Sequence, residues 1–403
     1  MTIHRDGWPA DPVAAATHAD PYPYYAHLVA QRPLYRDDAL GLWVASGHAA
    51  VTAVLAHDAC RVRPPSEPVP QAIVGSPAAD IFGHLVRMND GARHCPFKQA
   101  VTATLSSLDE ARVVAVARDR ATALAARHAP HRDRHGLTRF IFAFPVGVLA
   151  RLLGVPDDRL DDVADGVRRY VGAVSPLADA AALEAGKRGA RQLIDLFRHL
   201  LEDPERMERD ALLGLLARKV VAAGRSPIEP IIANGIGFMT QAYEATAALT
   251  GSTLLALADH GDSRTALRRD PALIDAAVAE VLHFDPPTHS TRRFLAHDAV
   301  VAGQPMRTGD AILVLLAAAG RDPAANPDPD RFDILRKDRR ILNFGSGVHA
   351  CPADRLAPRL ASFAVGHLLD MGIDLDGLRG GLSYLPSVAV RAPLFGDRAT
   401  ATG

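Results

Sequence analysis

Apolar residues recur at helical spacing through most of the chain and at strand spacing only toward its two ends. LGLWVAS reads as a strand and AVTAVLAH, just after it, as a helix, while DAILVLLAA further on reads as another strand. From about Ala100 to His283 the pattern is helical almost throughout, cut into segments by Pro, Asp and Gly. The longest segment, SPIEPIIANGIGFMTQAYEATAALTGSTLLALADHG, opens with Ser226 as N-cap, Pro227 at the first helical position and Glu229 closing a capping box. It stops at Gly261. At 1.5 Å per residue its ~34 residues span roughly 50 Å, enough to cross a domain. Apolar positions cover most of its circumference, which predicts a buried central helix. A second helix, DPALIDAAVAEVLHF, starts at Asp270–Pro271 and must end before Pro286–Pro287. No repeat or linker interrupts these elements. The expectation is one mainly α domain with small β-sheets over residues 1–403, its first ~8 and last ~6 residues disordered.

Composition narrows the class. The chain is 48% hydrophobic and 23% charged with a net charge of -1, values of a folded protein with no electrostatic footprint for nucleic acid. The first residues contain no apolar run that reads as a signal or anchor, and no uninterrupted apolar stretch of about 18 residues predicts a spanning helix. Cys60, Cys95 and Cys351 are odd in number, scattered and without a CxxC. That disfavours a disulfide framework and fits a reducing, cytoplasmic setting with no membrane partner.

Cys351 lies in FGSGVHACPADRLA, between glycines and a proline that can start a helix. Zinc would need four ligands, and beyond His349 the other cysteines offer only His94 as a close neighbour. Gly345-x-Gly347-x-x-Ala350 matches a dinucleotide loop, with Asp370 at the spacing of a ribose-binding acid. Pro352 would break the helix that such a loop opens, and too little chain follows for a doubly wound sheet. A plain buried thiol would not need the glycines, the histidine and the helix start. A thiolate ligand would: glycines let the backbone come close, and the amides of Ala353 and Asp354, behind Pro352, are free to face the sulfur.

Phe344-Gly345-x-Gly347-x-His349-x-Cys351 resembles the heme-binding signature of the cytochrome P-450 family, F-G-x-G-x-H-x-C-x-G, with Ala353 in place of the last glycine. Other stretches are similar in the same order: DPYPYYAHL to the bacterial N-terminal segment, NDGARHCPFK to the propionate-binding helix, RFLAHD to a propionate-binding strand, and NPDPDRFDILR to the meander. The resemblance implies a triangular fold with heme b (iron protoporphyrin IX) between the long central helix and the cysteine loop. It implies Cys351 as the iron ligand, Phe344 and Gly345 in the cofactor loop, and His94, Lys98, Arg293 and His349 as propionate partners. His94 and Lys98, one helical turn apart, can face the same carboxylate.

Two positions depart from the family. Its E-x-x-R pair is Glu280-Val281-Leu282-His283 here, so Glu280 needs another arginine, with Arg331 of the meander the first choice. In the central helix the A-G-x-[D/E]-T stretch is replaced by Gln241-Ala242-Tyr243-Glu244-Ala245-Thr246. The acid survives as Glu244, Ala245 stands where an alcohol is usual, and Thr246 is turned about 100° away. Gln241 shares the face of Ala245. Catalytic candidates are therefore Glu244, Gln241 and Thr246.

The resemblance implies a heme-thiolate monooxygenase acting on a small organic or peptide substrate in secondary-metabolite tailoring. It also implies a ferredoxin-type redox partner with its reductase. Arg336, Arg339, Arg340, Arg355 and Arg359 form a candidate landing face for that partner. Loss of the alcohol keeps open oxidative aryl coupling or peptide crosslinking, and a non-catalytic heme sensor or carrier is a third reading. Substrate contacts are expected from residues 68–86, 239–243 and 288–291.

Overall fold

The longest apolar segment forms one helix, Ile228–Asp259, whose 32 residues span about 48 Å. It is buried from Pro230 to Met239 and again from Thr246 to Leu257. Residues 240–245 interrupt that burial. The computed structural model describes residues 7–203, 208–224 and 228–396. Ser226, Pro227 and most of the termini expected to be disordered lie outside these residues.

Helices surround the central one. Arg134–Leu153, Pro77–His84, Ile274–Phe284 and Leu356–Asp370 all pack on it. Three helices of this layer start where an aspartate accepts a backbone amide: Asp109 from Ala111, Asp133 from His135, and Asp179 from Ala182. Arg134–Leu153 has the length and apolarity of a spanning helix, but 78% of its apolar window is buried in this fold, much of it against the central helix. It is a core helix. The predicted Asp270 start is also observed: Asp270 accepts the Ala272 amide, a short 3₁₀ turn follows, and Ile274–Phe284 ends before Pro286.

Among the described residues, five strands form one sheet in the order Leu34–Asp37, Leu42–Ala45, Ala311–Leu315, Ser290–Leu295, Cys60–Arg61, and four shorter strands form two two-stranded sheets. Of the described pairs only Leu42–Ala45 and Ala311–Leu315 run parallel. This mixed sheet is not the doubly wound architecture that a dinucleotide loop requires.

Glu280 is fully buried, and Arg331 is not its partner. Arg331 is exposed and lies 3.5 Å from Asp333 instead. Glu280 Oε1 accepts from Arg336 Nε at 3.2 Å and from the Asp333 amide at 3.1 Å, and His283 Nδ1 lies 3.2 Å from it. Oε2 accepts from Arg339 Nε at 2.7 Å. Burial opposes the charge, but the His283 and Arg339 hydrogen bonds and the Asp333 amide hold the carboxyl below its usual range. Two meander arginines thus replace the helical one, and they also tie down meander carbonyls such as Pro327 and Ile334.

Candidate active site

A cavity of about 470 Å³ lies between the central helix and the cysteine loop. The glycines of that loop are required by its backbone: Gly345 and Gly347 have φ of +67° and +65°, the left-handed region that side chains disfavour. The turn they make brings the Cys351 amide to the Phe344 carbonyl at 2.7 Å and leaves the cysteine on the cavity wall with Phe344 and Gly345.

The sulfur accepts the Ala353 amide at 3.4 Å, one of the two amides expected to face it. The following helix begins at Leu356 rather than at Pro352. A sulfur that takes the amide two residues on closes a turn, so the backbone is not yet helical there. Burial pushes the Cys351 thiol above its ordinary range, with the Ala353 amide and Lys98 only partly opposing it. A cation bound at the sulfur would deprotonate the thiol outright.

His94, Lys98, Arg293 and His349 also line the cavity. His94 is buried, and its Nε2 has no hydrogen-bond partner among the described residues. Burial, then the neighbouring His349 and Lys98, bring its pKa down to about 4, so the ring is neutral at pH 7. Its ring centroid lies 4.5 Å from that of His349, whose Nε2 is 2.8 Å from Asp90 Oδ1. Asp90 thus claims one His349 nitrogen, a partner not foreseen from the sequence. Lys98 reaches the Ala350 carbonyl, pinning its own helix to the cysteine loop. The Arg293 guanidinium is buried and, among the described residues, donates only to Thr291 Oγ1 and the Arg292 carbonyl.

On the central helix Phe238, Gln241, Ala242, Ala245, Thr246 and Leu249 face the cavity. The wall is wider than a single stripe, so it takes in both Ala245 and Thr246. The Thr246 hydroxyl is buried and has no partner among the described residues. Gln241 donates its amide to the Gly237 carbonyl of its own helix at 2.9 Å, leaving its side-chain oxygen for the cavity. Glu244 lies beside this wall, and burial holds its carboxyl above the usual range. Met239 and Tyr243, expected substrate contacts, turn elsewhere: Met239 is in the core and Tyr243 packs on Phe142. From the loop before the His94 helix the cavity takes Val86, Arg87 and Met88. Arg87 lies just past the predicted contact range.

A cysteine on the floor, a polar rim and a helix overhead, within a mainly helical fold, make a site fit for a thiolate-ligated cofactor. The profile of the family described as Cytochrome P450 matches residues 181–370. The chain is 31% identical to the cytochrome P450 monooxygenase PikC of Streptomyces venezuelae over 93% of this chain and 89% of that one. It is 28% identical to the 6-deoxyerythronolide B hydroxylase of Saccharopolyspora erythraea, over 92% and 96% of the two chains. The crystal structure of CalO2 superposes with a TM-score of 0.81 at 25% identity, covering 96% and 98%. The chain belongs to the cytochrome P450 family, and it is an oxidoreductase of the monooxygenase type.

The family's cofactor is heme iron, and the donor set here fits it. The Cys351 sulfur lies at the cavity with an amide aimed at it, the buried His94 Nε2 has no partner among the described residues, and Lys98 and Arg293 bring positive charge to the same rim.

Proposed function

We propose that this protein is a bacterial, cytoplasmic oxygenase holding heme b on Cys351 and inserting oxygen into a small organic or peptide substrate. The observation that carries this reading is Cys351 itself, exposed to the cavity with a backbone amide aimed at its sulfur. Heme bound there supplies one-electron chemistry and dioxygen activation, the thiolate favouring O–O cleavage.

The chain's own residues do the rest. Ala353 donates to the sulfur and tunes its electron release. His94, Lys98, Arg293 and His349 hold the cofactor's carboxylates at the rim, and Phe344 and Gly345 shape the floor. Thr246 offers a hydroxyl to the reacting face, one position after the usual alcohol. Glu244 resupplies its proton from solvent, and the Gln241 oxygen orients a water or substrate group. The unpartnered Thr246 hydroxyl favours oxygen insertion over aryl coupling, the second reading that Ala245 suggests. Relatives named as a hydroxylase of 6-deoxyerythronolide B and as PikC support a tailoring role in secondary metabolism.

Electrons come from a ferredoxin-type protein and its reductase. The landing face is smaller than the sequence suggests, since Arg336 and Arg339 hold Glu280, and Arg359 pairs with Glu110 and Asp275. Arg340 and Arg355 remain exposed beside the loop. The test is the absorption of the reduced, carbon-monoxide-bound protein. The wild type should show the strongly red-shifted band of a thiolate heme and Cys351→Ala should lose it. A band that survives the substitution ends the proposal.

A further inference from the structure

Arg87 is a charged residue of the cavity lining that the reading above leaves without a task. It sits in a 3₁₀ turn, Val86–Met88, seated on the central helix. Asn234 of that helix clasps the turn: its Oδ1 accepts the Val86 amide at 2.9 Å, and its Nδ2 donates to the His84 carbonyl at 2.9 Å. Gly237 permits the close approach, since a Cβ there would stand 2.7 Å from Leu85 Cδ2. The backbone that carries Arg87 is therefore fixed over the cavity.

The guanidinium itself has no hydrogen bond or ion pair among the described residues. Arg87 is exposed, and it is part of the lining of the cavity. Arginine keeps its charge and offers a planar fork of donors, so an unpaired guanidinium on that wall is placed to take a carboxylate. The groups whose charge acts on it are Tyr170, then Glu244, then Cys351. Burial holds the Glu244 carboxyl above its usual range, and the Arg87 charge opposes that. The Tyr170 hydroxyl is buried and has no partner among the described residues. Asn234 ties the turn that carries Arg87 to the central helix. Val86, Met88, Phe238 and Leu249 make the surrounding wall apolar.

We propose that Arg87 binds a carboxylate on the substrate, so that the enzyme selects apolar organic acids. This rests on the heme-thiolate reading and names the substrate class for the same site. The probes are imidazol-1-yl alkanoates, from the acetate to the hexanoate, each paired with its primary amide. They are titrated into the heme-loaded protein and followed by the absorbance change as the imidazole ligates iron. At one chain length or more the acid should bind about ten- to a hundredfold more tightly than its amide, the range of a charge-assisted pair. Arg87→Met should abolish that preference without changing the rate of heme loss, and Arg87→Lys should keep part of it. Equal affinities at every length in the wild type, or a preference that survives Arg87→Met, overturns the proposal. Faster heme loss from Arg87→Met also overturns it, by making the arginine a propionate partner. A protein without thiolate-heme absorption fails the preceding reading and this one with it. Normal absorption with no acid preference fails this one alone.

Discussion

Glu280 and Cys351 are acidic side chains tied to the same segment of chain, and they meet opposite surroundings. Both oxygens of Glu280 are engaged, by His283, Arg336, Arg339 and the Asp333 amide, and its carboxyl is held below the usual range. Cys351 has one amide and a lysine at a distance, and burial pushes its thiol up. The same division separates the meander from the cavity, where His94 Nε2 and the Thr246 hydroxyl are unpartnered among the described residues. The Glu280 cluster holds the fold together, while His94 Nε2 and the Thr246 hydroxyl face space that a ligand can fill.

Breaking the Glu280 cluster should have the largest effect. Glu280→Gln leaves two arginines with a neutral partner in a buried site and should cost about 3–5 kcal/mol, read from denaturant unfolding. The pH dependence follows from the direction of its shift. Because the folded-state pKa lies below the ordinary 4.5, the stabilisation is present above that value and is lost as pH falls through the folded one. The gap between wild type and Glu280→Gln should therefore be full at neutral pH and shrink in acid below 4.5. A gap that does not change with pH would show that the carboxylate charge is not what stabilises the cluster.

His283→Arg restores the family residue and should nonetheless destabilise. The imidazole is fully buried, and Glu280 already accepts from two guanidinium groups. A third must overpack the site, at a cost of about 1–3 kcal/mol by the same unfolding measurement. A gain in stability would make His283 a tolerated defect.

The catalytic wall should respond more mildly. Thr246→Val should lower product formed per reducing equivalent severalfold and raise peroxide release, an effect of about 1 kcal/mol. Gln241→Ala should do less, since its amide already serves the Gly237 carbonyl. Ala245→Thr should add little if Thr246 fills the role. A large gain in coupling from Ala245→Thr, with Thr246→Val silent, would reverse that assignment.

Local chemistry was legible in the sequence, and long-range partnership was not. The Gly345–Cys351 loop could be read because left-handed backbone and a thiol in one short stretch are local requirements. The central helix could be read from its periodicity alone. Glu280 was seen to need an arginine, but Arg336 and Arg339 lie 56 and 59 residues away, and no spacing rule separates them from Arg331. Thr246 was placed off the reacting face by a 100° rotation, whereas the cavity wall is broad enough to include it. Arg87 escaped because a loop has no period from which to tell which side chain turns inward.

The central claim is that the polar groups lining the cavity bind the cofactor, while the Glu280 cluster holds the fold. Heme transfer to an excess of a competing apo-heme protein, measured beside apoprotein unfolding, tests it most directly. The His94→Ala, Arg293→Ala double variant should lose heme much faster while its apoprotein unfolds near the wild-type midpoint. Glu280→Gln should shift the midpoint strongly. Wild-type heme loss from the double variant would contradict the account, because the unpartnered His94 nitrogen and the buried Arg293 would then serve no cofactor.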